Sequence, residues 1–206
     1  MDRFARLQCK KALQIGFAFA VGLSGLVPSD VQAFPINYSF TGTGSGTVGV
    51  AGFNDAAFTV SIDADTNDVA FQSSLGAFGI LNLGGTIDIT GVGVAGFTLP
   101  LFVFGGNGLN AIGFGNFSQG NLIAIFEPGL GLAGYDLASN FGPVTSANDN
   151  LDQFANVATS LGTLTYSTMS DVAFVSTINA VPEPSTLVLL VSGLAGLVAW
   201  RRRRRA

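Results

Sequence analysis

Residues with the potential for chemistry are concentrated in one short acidic run. Oxygen ligands stand at the first, third, fifth and sixth positions of a calcium-loop count, at Asp63, Asp65, Asn67 and Asp68. Such a loop needs a turn glycine at its sixth position and a bidentate glutamate at its twelfth, whereas this chain has Asp68 and Ser74 there. The run therefore predicts either a weak calcium site or an ordinary hairpin turn after a strand over residues 58–62.

Three glycine-rich segments match the pattern G-x-G-x-x-G, at residues 44–49, 91–96 and 129–134. A dinucleotide-binding fingerprint needs a strand before this pattern and a helix after it, and none of the three segments opens a convincing helix. We attribute the matches to glycine-rich composition. Residues 105–113 resemble one calcium-binding nonapeptide, but Asn110 replaces its ligand aspartate and no second copy follows. We expect a hairpin loop there, because such repeats bind ions only when they are stacked.

Catalytic residues of the usual kinds are missing from the sequence. The chain has no histidine, and residues 34–180 contain no Cys, Lys or Arg and a single glutamate, Glu127. These absences exclude His-activated nucleophiles, Schiff-base lysines and ordinary zinc sites from that region. A glycosidase needs two facing carboxylates, and its cleft would normally carry Trp or Tyr, of which only Tyr38, Tyr135 and Tyr166 are available. We expect a protein that is not an enzyme and needs no cofactor.

Charge is divided sharply along the chain. Residues 34–180 carry ten acidic side chains and no basic one, a net charge of −10, and all nine basic residues lie in residues 1–33 and 181–206. An anionic domain cannot neutralise phosphates, which excludes nucleic acid as a partner. Such a surface favours high solubility, bridging divalent cations and cationic partners.

The N-terminal segment has the three parts of a secretory signal peptide. Basic residues come first, and an apolar stretch follows over residues 12–27. Val31-Gln32-Ala33 has the small residues that signal peptidase recognises, so we expect cleavage between Ala33 and Phe34 after export through the Sec translocon. An uncleaved N-terminal anchor is the alternative. Cleavage would also remove Cys9, which leaves a mature chain without disulfides.

The body of the chain, residues 34–180, is long enough for one domain with its own core. Short apolar runs separated by Gly and Asn are typical of antiparallel β-structure. Seven runs predict strands: residues 36–40, 58–62, 86–90, 98–104, 122–126, 162–167 and 172–178. The predicted fold class is all-β, an antiparallel β-sandwich or a barrel-like body. We expect residues 122–126 to form a central strand buried on both faces, and residues 150–161 to contain a short helix.

The C-terminal segment combines a proline motif, an apolar stretch and a basic tail. Two prolines flank a glutamate and keep the motif extended and open to a processing enzyme, over Val181, Pro182, Glu183 and Pro184. Residues 187–200 carry no charge. As a helix they span about 21 Å, which approaches the thickness of a membrane core when Trp200 reaches the headgroups. The tail would hold its end on the cytoplasmic side, through Arg201, Arg202, Arg203, Arg204 and Arg205.

Residues 181–206 resemble the PEP-CTERM sorting signal, in which a Pro-Glu-Pro motif, a short apolar helix and an arginine cluster occur in this order. The resemblance implies that exosortase, an integral-membrane enzyme, recognises the Pro-Glu-Pro region and removes the helix and the tail. It also implies a Gram-negative-type bacterium, a transient stay in the inner membrane, and delivery to the cell surface or an exopolysaccharide matrix. It identifies a destination and not an activity.

Three segments are thus predicted: a signal peptide over residues 1–33, an extracytoplasmic all-β domain over residues 34–180, and a sorting signal with a transmembrane helix over residues 181–206. We expect an exported, non-enzymatic component of the cell surface, the extracellular matrix or a biofilm. The alternative is a secreted carbohydrate- or calcium-binding module. An exposed Tyr or Phe platform beside Asn and Asp on one sheet face would favour that alternative.

Overall fold

The computed structural model describes residues 34–73, 76–106, 108–126, 131–145, 149–150, 154–179, 190–194 and 201. These residues all fall within the unit that runs from Ala33 to Ala206. The predicted signal peptide, the proline motif that begins at Val181 and the tail arginines after Arg201 lie outside the described residues. The structure therefore describes mainly the domain between the two predicted export signals.

Antiparallel β-strands make up the described domain. In chain order they are β1 (Pro35–Val48), β2 (Ala51–Asp65), β3 (Ala70–Gln72), β4 (Ala77–Leu83), β5 (Gly85–Ile89), β6 (Gly93–Gly96), β7 (Leu101–Gly106), β8 (Ala111–Asn116), β9 (Gly120–Phe126), β10 (Phe141–Thr145), β11 (Asp149–Asn150), β12 (Val157–Thr159) and β13 (Gly162–Ile178). A 3-10 turn over Thr66–Asp68 follows β2. The prediction of an all-β, antiparallel fold is confirmed.

The strands form two sheets, sheet A and sheet B. Sheet A has the strand order β10-β13-β1-β2-β5-β6, with β12 paired to β13 beside this path. Sheet B has the order β11-β9-β8-β7-β4-β3. No ladder among the described strands joins the two sheets, which corresponds to the two-layered arrangement of a β-sandwich.

The first and last strands form the centre of sheet A. β1 pairs with β13 along nearly its whole length, beginning with Ile36 opposite Ile178, and it pairs on its other edge with β2. The sequence of β1 explains this position, because Ile36, Tyr38 and Phe40 are fully buried whereas the residues between them are only partly buried. Such alternation is expected where one face of a sheet covers the core and the other faces water.

Aromatic rings join the two sheets across the core. Phe40 of β1 packs against Phe114 of β8 with the ring centroids 4.9 Å apart, and against Phe174 of β13 at 4.9 Å. All three side chains are fully buried. Removal of these rings from water, together with their mutual contact, stabilises the packing of sheet A on sheet B.

Each of the seven predicted runs overlaps an observed strand, but several bounds differ; β1 and β2 are much longer than residues 36–40 and 58–62. Residues 162–167 and 172–178 belong to one 17-residue strand, β13. The strand expected over residues 98–104 begins only at Leu101. In β9, all four residues from Leu122 to Ile125 are buried, and β8 and β11 lie on its two sides. The predicted central strand is thus buried over residues 122–125, whereas Phe126, the last residue of the predicted run, is 42% exposed.

The predicted helix over residues 150–161 is wrong wherever the structure describes it. Asn150 ends β11, and residues 157–159 form β12, which pairs with the start of β13; residues 151–153 lie outside the described residues. Asn156 has a φ of 60°, which is outside the right-handed helical region. Phe154 and Val157 have helical spacing because they are two buried side chains on either side of a bend.

Helical residues are described near the C-terminus. Residues 190–194 and residue 201 are helical, and Leu190, Val191 and Leu194 are exposed. Within the part of the chain that the structure describes, no helix has both the length and the apolar character needed to cross a membrane. The transmembrane segment expected over residues 187–200 lies mostly outside that part and stays a prediction.

Candidate functional site

Sheet B carries almost no charge, in contrast to sheet A. The strands β3, β4, β7, β8 and β9 contain no acidic or basic residue, and β11 contains Asp149. Sheet A contains five acids in β2, β5 and β13, at Asp55, Asp63, Asp65, Asp88 and Asp171. Glu127 and Asp152 lie outside the described residues. Within the described strands, the acidic character predicted from composition therefore belongs largely to one sheet.

On the outer face of sheet B, phenylalanine rings cover glycines. Alternate residues of β7 face the core, which leaves Phe102 and Phe104 only partly buried on the other face. Gly115 and Gly113 of β8 stand opposite them in register. A Cβ atom added at Gly115 would lie 2.7 Å from the Phe102 ring, and one added at Gly113 would lie 2.8 Å from the Phe104 ring. The rings therefore occupy the space that side chains on β8 would need.

A groove of about 600 Å³ is present at these rings. Six apolar side chains of its lining are not fully buried: Phe78, Leu81, Phe102, Phe104, Leu109 and Phe117. Phe117 packs on Phe102 with the centroids 5.3 Å apart and is 68% exposed. Phe71 of the edge strand β3 packs on Phe78 at 5.0 Å and is 57% exposed. These six residues and Phe71 are termed the phenylalanine groove, an apolar surface open to water.

Two amide side chains near the groove are already used inside the fold. Asn116 Oδ1 accepts hydrogen bonds from two backbone N–H groups of the following turn, at 3.0 and 2.8 Å. Asn116 Nδ2 donates to Gln119 Oε1 at 2.8 Å, and Gln119 Nε2 donates to the carbonyl oxygen of Ala155 at 2.6 Å. The exposed amides that line the groove are Gln72 and Asn121. The surface therefore offers mainly apolar contact.

The predicted calcium ligands lie at the end of β2 and in the turn after it. Asp65 Oδ1 accepts a hydrogen bond from the backbone N–H of Asn67 at 2.8 Å, which caps the 3-10 turn that contains Asn67 and Asp68. Asp63 Oδ1 accepts from Asn37 Nδ2 at 2.7 Å. Among the described residues, no three His, Cys, Asp or Glu side chains come together as a metal-binding group. The hairpin turn expected after residue 62 begins only after Asp65, and the weak calcium site stays a prediction.

The glycine-rich motifs lie in strands and turns where they are described. Residues 44–49 end β1 and enter its turn, and residues 91–96 contain a turn and β6; no described helix follows either segment. Gly49 has a φ of 57°, in the left-handed region that favours glycine. Residues 108–110 form a turn between the paired strands β7 and β8, which confirms the hairpin predicted at the nonapeptide-like segment.

All three tyrosines are buried side chains of the fold. Tyr38 Oη donates to the carbonyl oxygen of Leu137 at 2.5 Å, and Tyr135 Oη donates to Ser176 Oγ at 2.9 Å. The buried Tyr166 hydroxyl has no hydrogen-bond partner among the described residues. Burial raises the pKa of all three hydroxyls above the ordinary tyrosine value. They stay protonated at neutral pH, which makes them unsuitable as general bases.

The C-terminal segment matches a known sorting motif. Residues 180–204 match the sequence model of the PEP-CTERM protein-sorting motif, which confirms the resemblance inferred for residues 181–206. The fold and this motif together define the class of protein, an antiparallel β-domain followed by a C-terminal export signal. The motif implies processing by exosortase and a membrane-anchored passage before export to the cell surface or the medium. No curated protein and no solved structure matches the chain.

Proposed function

We propose that this chain is a non-enzymatic, structural component of the cell surface, or of an exopolysaccharide matrix or biofilm. The observation that carries the proposal is the match of residues 180–204 to the PEP-CTERM motif. In this route the Sec translocon exports the chain and signal peptidase cleaves between Ala33 and Phe34. The apolar segment over residues 187–200 holds the protein in the inner membrane until exosortase cuts near the motif from Val181 to Pro184.

The side chains of the domain support a role without catalysis. The sequence over residues 34–180 offers no His, Cys, Lys or Arg to activate a nucleophile or to stabilise an anionic transition state. Asp63 and Asp65 accept local hydrogen bonds at the end of β2, and the buried tyrosines are protonated. A structural component needs surfaces for assembly, and the exposed rings of the phenylalanine groove offer one such surface.

Carbohydrate or calcium binding is the alternative function, and the structure meets part of its condition. An exposed phenylalanine platform is present, but β3, β4 and β7, which contribute four of its five rings, contain no Asp. Asn116, the nearest buried amide, is bonded within the fold. Gln72 and Asn121 are the exposed amides of the lining. We favour the structural role because the groove offers a sugar mainly apolar contact and few polar side chains.

The proposal predicts a defined processed product. Protein recovered from the extracellular fraction of the cells that produce it should begin at Phe34 and lack Arg201 and the arginines after it. We expect Glu183→Ala to leave the chain in the membrane with Trp200 still attached, because the motif implies recognition of the Pro-Glu-Pro region. Intact-mass measurement on membrane and extracellular fractions checks both expectations.

Glu127→Ala is the matched control for this experiment, since it removes the only other glutamate in the chain and should be processed normally. A wild-type chain found only in the membrane with its five arginines intact would overturn the proposal. An added mass at the new C-terminus would identify attachment to a carrier.

A further inference from the structure

The phenylalanine groove is an apolar surface that no described residue covers, on a strongly acidic domain. We infer that a second copy of the chain covers it, so that two sandwiches meet face to face through the outer faces of sheet B. The inference goes beyond the proposed function and does not depend on the sorting route. It rests on the distribution of charge, on the exposed rings and on the hydrogen bonding of the neighbouring amides.

Charge permits contact between two copies at this face of the domain. Sheet A carries acids on β2, β5 and β13, and contact between two such faces would bring like charges together. Packed sheets are about 10 Å apart, and the Debye length in physiological salt is about 8 Å. Two copies joined through sheet B therefore keep the acids of sheet A on the far sides, where their repulsion is largely screened.

The exposed apolar side chains supply the attraction between the copies. Phe71, Leu81 and Phe117 are 57%, 51% and 68% exposed. Each of them lies beside other apolar side chains of the groove, so the exposed surface is continuous and apolar. Contiguous exposed apolar patches on soluble proteins mark interaction sites. Phenylalanine is enriched at the centres of protein interfaces, where charged residues are depleted. The groove has this composition.

The chemistry of the groove favours a second copy over a glycan or a charged protein. The amides of Asn116 and Gln119 are hydrogen-bonded within the fold, which leaves Gln72 and Asn121 as the exposed amides of the lining. The phenylalanine rings that dominate the groove have no polar group of their own. A partner with charges on its docking face would lose their hydration against this surface. The strands at the groove, β3, β4, β7 and β8, have no charged residue in either copy, and identical faces can meet about a two-fold axis.

Sedimentation equilibrium of the exported protein tests the inference. We expect the wild-type protein to form a dimer, and Phe117→Asp to raise the dimer dissociation constant about tenfold or more by placing a charge in the interface. Val94→Asp is the matched control: Val94 is 59% exposed on β6 at the edge of sheet A, and the change adds the same charge. It should leave the dissociation constant unchanged.

Three outcomes would overturn the inference: a wild-type protein that stays monomeric at its highest soluble concentration, a dimer that survives Phe117→Asp, or a dimer that Val94→Asp dissociates equally. Leu81→Asp provides a second disruption of the groove if the first variant does not fold, with circular dichroism as the check on folding. A monomer that binds an insoluble neutral glucan and loses this binding in Phe117→Asp would assign the groove to carbohydrate instead.

Discussion

At the residue scale, the three buried tyrosines differ in their hydrogen bonding. Tyr38 and Tyr135 each donate a hydrogen bond that ties a loop to sheet A. The Tyr166 ring instead lies among aromatic rings, with centroids 5.2 Å from Phe53 and 5.0 Å from Phe154, and its hydroxyl has no partner among the described residues. A buried hydroxyl without a hydrogen bond carries a desolvation penalty of about 1–3 kcal/mol.

Tyr166→Phe should therefore leave the free energy of unfolding unchanged or raise it by about 1 kcal/mol. Tyr135→Phe is the matched change and should lower it by about 1 kcal/mol, because Ser176 Oγ loses its donor. Urea unfolding followed by circular dichroism measures both values. A large loss of stability in Tyr166→Phe would show that this hydroxyl has a partner in solution, such as an ordered water molecule.

The same tyrosines predict how stability depends on alkaline pH. Burial raises the pKa of each hydroxyl in the folded protein, whereas in the unfolded chain the tyrosine pKa is about 10. Stability is therefore fully present below about pH 10 and falls as the pH rises further, since only the unfolded chain then releases these protons. The domain has no lysine to obscure the effect.

Ultraviolet absorbance of tyrosinate should show little ionisation in the folded protein just above pH 10, and then a cooperative rise as the protein unfolds. The tyrosine hydroxyls of the urea-unfolded protein should titrate near their ordinary pKa of about 10. Reversible titration of the folded protein at that same pH would contradict burial of the three hydroxyls.

The hydrogen bonds made by the acidic run, residues 63–68, could be predicted only in part from the sequence. An aspartate followed two residues later by a backbone N–H that it can cap is a common turn device, and Asp65 with Asn67 follows it. The hydrogen bond between Asn37 and Asp63 joins residues 26 positions apart. It depends on the register of β1 on β2, which no short sequence motif specifies.

At the scale of the elements, the end of β8 needs glycine at the position where it pairs with the start of β9. A Cβ atom at Gly115 would collide with the carbonyl oxygen of Gly120 and lie 2.9 Å from the Cα of Asn121, besides its contact with the Phe102 ring. The first two neighbours are backbone atoms of the paired strand, which cannot move aside cheaply. Glycine at this position is therefore a packing requirement.

Gly115→Ala should lower the free energy of unfolding by about 2 kcal/mol or more, as overpacking against rigid neighbours does. Gly84→Ala is the control, because an added Cβ there meets nothing within 4 Å, and its effect should stay within about 0.5 kcal/mol. Urea midpoints of the two variants give the comparison. Equal midpoints would mean that β8 and β9 can separate at this turn without loss of stability.

The strands were predictable where alternation is strong and unpredictable where glycines interrupt it. Residues 36–40 alternate cleanly, but β1 continues through Gly42, Gly44 and Gly46. Rings of other strands explain this continuation: an added Cβ would lie 2.8 Å from Phe58 at Gly42 and 2.7 Å from Tyr166 at Gly44. These rings come from distant parts of the sequence, so the glycines could not be distinguished from a loop.

The phenylalanine groove was partly encoded in the sequence. The alternation Leu101-Phe102-Val103-Phe104 predicts two rings on one face of a strand, and the lack of charge in the neighbouring segments is visible in the sequence. The pairing of β7 with β4 on one side and β8 on the other is what brings Phe78 into the same surface. Strand order in a sheet of this kind depends on long-range contacts that local patterns do not specify.

At the scale of the whole molecule, composition predicted a net acidic domain but not its two unlike faces. Five acids lie on sheet A, whereas β3, β4, β7, β8 and β9 have none. The difference arises from topology, because segments that are separated in the chain assemble into the same sheet. This distribution of acids within the described strands is what reduces repulsion in the contact that we propose between two copies.

The pairing of the two terminal strands also determines how the domain responds to force. β1 begins and β13 ends at the same end of sheet A, where Ile36 stands opposite Ile178 and the Asn179 N–H donates to the Pro35 carbonyl oxygen at 2.8 Å. A pull that separates these two chain ends would break the hydrogen bonds between β1 and β13 one pair at a time. A pull through residue 179 along the axis of β13 would instead load the hydrogen bonds of β13 to β10 and β1 in shear, all at once. The same ladder should therefore resist a load along the strand better than a load that separates its two ends.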